Sequence, residues 1–354
     1  MATTPFSGSA ANYCGYIDDD GKTYLMDASE GLPCNEHGQT PEPTHIAAGV
    51  VVVSVACGGD HMMALDASGK VHAWGNNCYG QLGDTTTDDK SVPFVVSYGS
   101  LAGRTVVSVS CGEQHTVAVD TCGEVHAWGQ NARGQLGVTP VTPRSTPFVV
   151  GSGSLVGETV VSVACGAHHT MAVDSGGKVH AWGWSSCGRL GLATVPFIVN
   201  GGTLAGKTVV SVACGYGHAM ALDTSGTLHA WGFNGFGQLG DTTTVDKSVP
   251  FVVDYGSLAH RTHRIASVAC GYCLTMAVDT GGTVHSWGDN RHGQLGDGTR
   301  VNRSTPSVVS SGSVVGRTIV SVACGRIHTL AVDTSGTLHA WVTRDPRINT
   351  LRSS

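Results

Sequence analysis

Charge is scarce in this chain: only 13% of its 354 residues are Asp, Glu, Lys or Arg, and only 6% are aromatic. Together with fifty glycines, that composition excludes a helical or disordered chain and describes a turn-rich β protein. No basic excess is present, since the formal charge is −6 and the sequence pI about 6.2. Direct nucleic-acid binding is therefore not expected, and neither terminus carries a basic arm for phosphate backbones. The first residues, MATTPFSGSAANYCGY, lack the basic and apolar regions of a secretory signal. No apolar run reaches the length that spans a bilayer, so no membrane segment is expected, and residues 50–56 read as a buried strand. Also missing are a GxSxG elbow, an HExxH helix and a P-loop, which leaves no catalytic residue and no cofactor to assign.

What the chain has in quantity is one stretch recopied. Residues 162–183, SVACGAHHTMAVDSGGKVHAWG, alternate with the period of a strand and turn at Asp174-Ser175-Gly176-Gly177. The repeat cysteines Cys57, Cys111, Cys165, Cys214, Cys270 and Cys324 are separated by 54, 54, 49, 56 and 54 residues. A period near fifty suits a four-stranded propeller blade. Asp followed by Gly at the third position recurs at Asp18, Asp66, Asp120, Asp174, Asp223, Asp279 and Asp333, giving seven hairpins. These lie at about residues 14–27, 61–75, 115–129, 169–183, 218–232, 274–288 and 328–342. The expectation is one all-β domain over residues 1–354, a seven-bladed β-propeller of four-stranded antiparallel blades, with 343–354 a C-terminal tail or closing strand.

Each full unit reads as four strands, SVACG, HTMAVD, KVHAW and a PFVV strand after a GQLG loop. Pro5 lies 13 residues before Asp18, whereas Pro147 lies 27 before Asp174, so the N-terminal arm supplies one strand and not two. The favoured closure has Thr4-Pro5-Phe6 completing the last blade as its outer strand. The alternative gives the arm to the first blade and uses Pro346-Arg347-Ile348 for the last.

The combination ACGxxHT, DxxG, VHAWG and NxxGQLG resembles the regulator of chromosome condensation repeat family from about Asn12 to Trp341. The loop motif stands at Gly80–Gly83, Gly134–Gly137, Gly237–Gly240 and Gly293–Gly296, and departs at Gly188-Arg189-Leu190-Gly191 and in the first copy, which keeps only Asn35 to Gln39. The resemblance implies a seven-bladed propeller and a binding surface more than a reaction. Members of that family include an exchange factor for the small GTPase Ran on chromatin, a plant ultraviolet-B photoreceptor, a bacterial β-lactamase inhibitor and modules of ubiquitin ligases. Fold does not choose among these.

Residues that look chemical have structural readings. The six repeat cysteines sit a unit apart, too far for disulfides, and read as free buried thiols suited to a reducing compartment. Trp74, Trp128, Trp182, Trp231, Trp287 and Trp341 read as packing between blades. A photoreceptor would need indoles in the loop after the cysteine, and no Trp stands there. Two histidine series, at His61, His115, His169, His218 and His328 and at His72, His126, His180, His229, His285 and His339, invite a metal. One His per blade does not converge on an ion, no carboxylate or thiolate companion stands at a fixed spacing, and Leu274 replaces one His, so no metal is expected. The run Asp18-Asp19-Asp20 is accounted for by turn chemistry.

Because successive strands are antiparallel, the loops after ACG and after HAWG must emerge on one face. There Trp184, Tyr216, Phe233, Phe236 and Tyr272 stand where other units carry polar residues. Around the ring Asp60, Asp84, Asp88 and Asp89 face off against Arg291, His292, Arg300, Arg303 and Arg326. The function expected is a non-enzymatic protein-interaction propeller, cytoplasmic or nuclear. A protein partner would dock over Trp184, Tyr216, Phe233, Phe236 and Tyr272 and be oriented by Asp60, Asp88, Asp89, Arg291 and Arg326. The alternatives are a guanine-nucleotide exchange factor for a Ran-like small GTPase, or a structural subunit of a larger assembly.

Overall fold

The computed structural model describes residues 4–7, 13–18, 20–27, 50–184, 193–261 and 264–342. These form seven antiparallel sheets in chain order, numbered here 1 to 7 and spanning residues 4–27, 52–95, 106–149, 160–198, 209–252, 265–308 and 319–342. In sheet 4 the strands Val160–Cys165, His169–Asp174, Val179–Gly183 and Ala193–Ile198 follow one another from the inside outward. Inner strands of successive sheets pack against each other around the ring, and the apolar clusters lie between neighbouring sheets. The second strand of each repeat unit is therefore covered on both sides, and all six residues of His169–Asp174 are buried.

The expectation of seven four-stranded blades needs correction. Six sheets carry the repeat cysteine and tryptophan, and five of those have four strands. Among the described residues sheet 1 shows three strands, Thr4–Ser7, Tyr13–Ile17 and Thr23–Asp27, and sheet 7 also shows three. The favoured ring closure is overturned as well. Thr4 pairs with Ile17 and Ser7 with Cys14, so the arm is the innermost strand of sheet 1 and packs between the inner strands of sheets 7 and 2. Placed outside sheet 7 it would have left the backbone of Tyr13–Ile17 unpaired at the centre of the ring. Residues 346–348, offered as the last closing strand, lie outside the described residues.

The DxxG turn shows why its two residues recur. Asp174 Oδ1 accepts from the backbone N–H of Gly176 at 2.8 Å and of Lys178 at 2.9 Å. Gly177 has φ +78°, and a Cβ there would run into Thr208 of the next unit. Only glycine fits a left-handed turn so close to a neighbour. Asp18 caps its own turn in the same way through Asp20 N–H and Lys22 N–H, as its acidic run predicts.

Candidate site on the loop face

Hydrogen bonds place the two loop series together. Trp184 N–H donates to His168 O at 2.9 Å, Gln130 N–H to Gln114 O at 2.8 Å, and Phe233 N–H to Gly217 O at 2.8 Å. Four of the post-cysteine loops also reach the next sheet: Gly59 N–H donates to Glu113 O, Glu113 N–H to Ala167 O, Tyr216 N–H to Tyr272 O, and Tyr272 N–H to Gly325 O. The result is a rim that presents Asp60, Glu113, His168, Tyr216, Tyr272 and Arg326 in succession, from acid through aromatic to base.

Along this rim the rings touch. Arg133 stands 4.7 Å from the centre of Trp184, whose indole meets His168 edge-on at 5.8 Å. His168 lies 6.3 Å from Tyr216, Tyr216 lies 4.3 Å from Tyr272, and Arg326 sits 5.3 Å over Tyr272. Burial drives the His168 pKa down, opposed by Glu113 at 3.2 Å and reinforced by Arg133, so the imidazole is neutral at pH 7. The Tyr272 hydroxyl is pushed up to about 12 by burial first and by Tyr216 next. A second group joins Phe233 to Phe236 at 6.1 Å with Arg291 4.5 Å over Phe236. Arg291 is also bonded to both oxygens of Asp289 at 2.9 Å.

Thus Trp184, Tyr216, Tyr272 and Arg326 come together in one row, and Phe233, Phe236 and Arg291 in another. Asp60 and Asp88 are exposed. Asp89 is spent within its own loop, accepting from Asn77 N–H at 2.7 Å as Asp246 does for Asn234 in sheet 5. Three members escaped the sequence reading: Glu113, His168 and Arg133. The doubled histidine of GAHHT, where other units have one at most, is the signal that points to His168.

Beneath this face the recurring polar residues hold sheets together. Thr116 Oγ1 and Trp128 Nε1 both donate to Gln81 O, at 2.9 and 2.7 Å, and His61 Nε2 bonds Thr116 Oγ1 at 3.0 Å. The Gln81 side chain accepts from Tyr79 N–H at 2.9 Å, which folds the GQLG loop and aims that carbonyl at the neighbouring sheet. The same set joins His218, Thr275, Trp287 and Gln238. The repeat thiols are buried and in no disulfide, and Cys111 Sγ donates to Ala56 O of the sheet before it.

The second histidine series does have a carboxylate at a fixed spacing, which corrects the sequence reading. The turn Asp six residues earlier bonds each one, at 2.8 Å for Asp66 and His72 and 2.9 Å for Asp174 and His180. On its other side His180 Nδ1 bonds Ser154 Oγ at 2.7 Å. Asp120, Glu124 and His126 form the one trio of clustered donor groups among the described residues. Arg104 Nη1 lies 3.0 Å from Asp120 and 2.9 Å from Glu124, so a guanidinium supplies the positive charge there.

Residues 17–343 match the RCC1-like domain family. The chain belongs to that family. This RCC1-like chain is 34% identical over 309 residues to the Ultraviolet-B receptor UVR8 of Arabidopsis thaliana, covering 85% of itself and 68% of the receptor. It is 32% identical over 310 residues to the E3 ubiquitin-protein ligase HERC2 of Homo sapiens, of which it spans only 6%. Among solved structures, human WBSCR16 superposes with a TM-score of 0.79 at 23% identity, covering 94% of this chain and 87% of that one. Yeast RCC1 (Prp20), solved bound to Kap60, gives 0.72 at 23% identity over 96% and 79%. Both show the shared propeller fold.

Proposed function

We propose that this RCC1-like propeller is a non-enzymatic protein-interaction module, cytoplasmic or nuclear, that docks a protein partner on its loop face. The observation that carries the reading is the continuous row from Arg133 through Trp184, His168, Tyr216 and Tyr272 to Arg326. Half-buried aromatic side chains flanked by arginine are the composition of binding hot spots. Asp60 and Glu113 on one side of the rim and Arg326 on the other give the partner an orientation. Changing Trp184, Phe233 and Phe236 together to Ser is expected to weaken capture of the partner with melting behaviour retained; undiminished capture by a folded triple variant refutes the reading.

Exchange activity on a Ran-like GTPase is the second reading, motivated by the fold shared with yeast RCC1. Release of labelled GDP from the GTPase on addition of this chain would establish it. Co-purification in a fixed stoichiometry would instead identify a structural subunit.

A further inference from the structure

Each end of the aromatic row carries an arginine, and the state of those two groups points to the chemistry of what binds. Arg104, Arg291, Arg303 and Arg317 each have an aspartate within 4.0 Å. Among the described residues no carboxylate lies within that distance of Arg133 or Arg326, and both are exposed. A guanidinium seated over a ring is held by its face, while its edge keeps the planar fork of N–H donors that fits a carboxylate.

Between these ends the surface offers the rings of Trp184, His168, Tyr216 and Tyr272, with the part-exposed Glu113 carboxylate as the single anion beside them. His168 is neutral, and Glu113, the anion that faces it, is already engaged with it at 3.2 Å. An apolar floor with an unpaired cation at either end repels a basic segment. It leaves a neutral segment with two guanidinium forks unanswered. It matches a segment that puts an aromatic or apolar side chain between two carboxylates.

We infer that the loop face takes an acidic segment of its protein partner, with an apolar side chain covering Tyr216 and Tyr272 and flanking carboxylates on Arg133 and Arg326. The inference rests on the docking-face reading above and adds the chemical class of the occupant. Neither arginine belongs to the relay that joins the sheets, so both can be changed without touching the inter-sheet hydrogen bonds.

The test selects peptides from a random library on the full chain, then measures the enriched peptides by fluorescence polarisation against Arg133→Gln, Arg326→Gln and a Trp184→Ser/Tyr216→Ser variant. Enrichment of Asp or Glu on both sides of an aromatic, with each arginine variant binding about tenfold more weakly, supports the assignment. Enriched peptides that need Trp184 and Tyr216 but lack acidic residues, or acidic peptides indifferent to both arginine changes, overturn it and leave the docking face standing. Failure to enrich any peptide sensitive to the aromatic variant overturns the docking face itself. A single-stranded oligonucleotide that binds more tightly than the peptides and needs the same arginines overturns the choice of a protein ligand.

Discussion

Acidification from pH 7 to pH 5 is expected to destabilise this protein steeply, through histidines that no active site uses. His61 is fully buried, and burial holds its pKa down at about 3; His328 is held at about 4, and His115 well below its ordinary value. His61 Nε2 is taken by Thr116, while Nδ1 is buried with no acceptor, so a second ring proton would have nowhere to go. A group whose folded pKa is depressed takes up its proton on unfolding. Its contribution is therefore intact above the unfolded value near 6.5 and is lost as pH falls toward the folded value. At pH 5 that loss is about 2 kcal/mol each for His61 and His328, about 4 kcal/mol together, with His115 acting in the same direction, a large part of the stability of an ordinary domain. The turn aspartates do not enter this window: Asp66 and Asp333 lie at about 2, and their stabilisation is lost only below about pH 4.

Urea unfolding followed by tryptophan fluorescence, repeated across this pH range, measures the effect directly. Sheet 6 supplies the control variant, since it already carries a buried Leu274 at the histidine position. His61→Leu gives up the bond to Thr116, which keeps its own acceptor in Gln81 O at 2.9 Å. The variant is expected to lose about 2 kcal/mol less than the wild type between pH 7 and pH 5. Stability that is flat across this range, or a His61→Leu variant that falls as steeply as the wild type, would refute the reasoning.

Thr85 and Thr242 hold φ +73°, while Gly298 takes φ +76° at the matching loop position of sheet 6. Thr85→Gly and Thr242→Gly should therefore each raise the unfolding midpoint, by a net gain of about 0.5–1 kcal/mol, because left-handed backbone is costly for a β-branched residue. Trp128→Phe removes the donor to Gln81 O at 2.7 Å and part of a side chain with no exposure. It should cost about 2–4 kcal/mol in the same urea assay.

Most of the architecture was readable because a repeat states each structural requirement several times. The turn Asp and Gly, the buried cysteine and the inter-sheet tryptophan were assigned from recurrence alone. The Asp–His pairing was equally recurrent and still went unseen. Asp174 already had a job as turn acceptor, and it takes the second oxygen, Oδ2, to serve His180 as well. The GQLG loop hid its role differently, since its acceptor is a backbone carbonyl and the Gln side chain only positions it. The likeness of Thr4-Pro5-Phe6 to PFVV points to the wrong sheet for ring closure. What decides it is which backbone would otherwise go unpaired at the centre.

The aromatic row follows the opposite logic. Trp184, Tyr216 and Tyr272 were found as departures from the repeat, but Arg133 and Glu113 touch the row only across a sheet boundary, from the unit before His168. Residues one unit apart in sequence become neighbours on the rim, so a search for function within each copy misses half of every contact. In a propeller whose recurring positions are occupied by inter-sheet bonding, function has to reside in the exceptions. Those exceptions have to be compared between adjacent copies, since that is where the loop face assembles them.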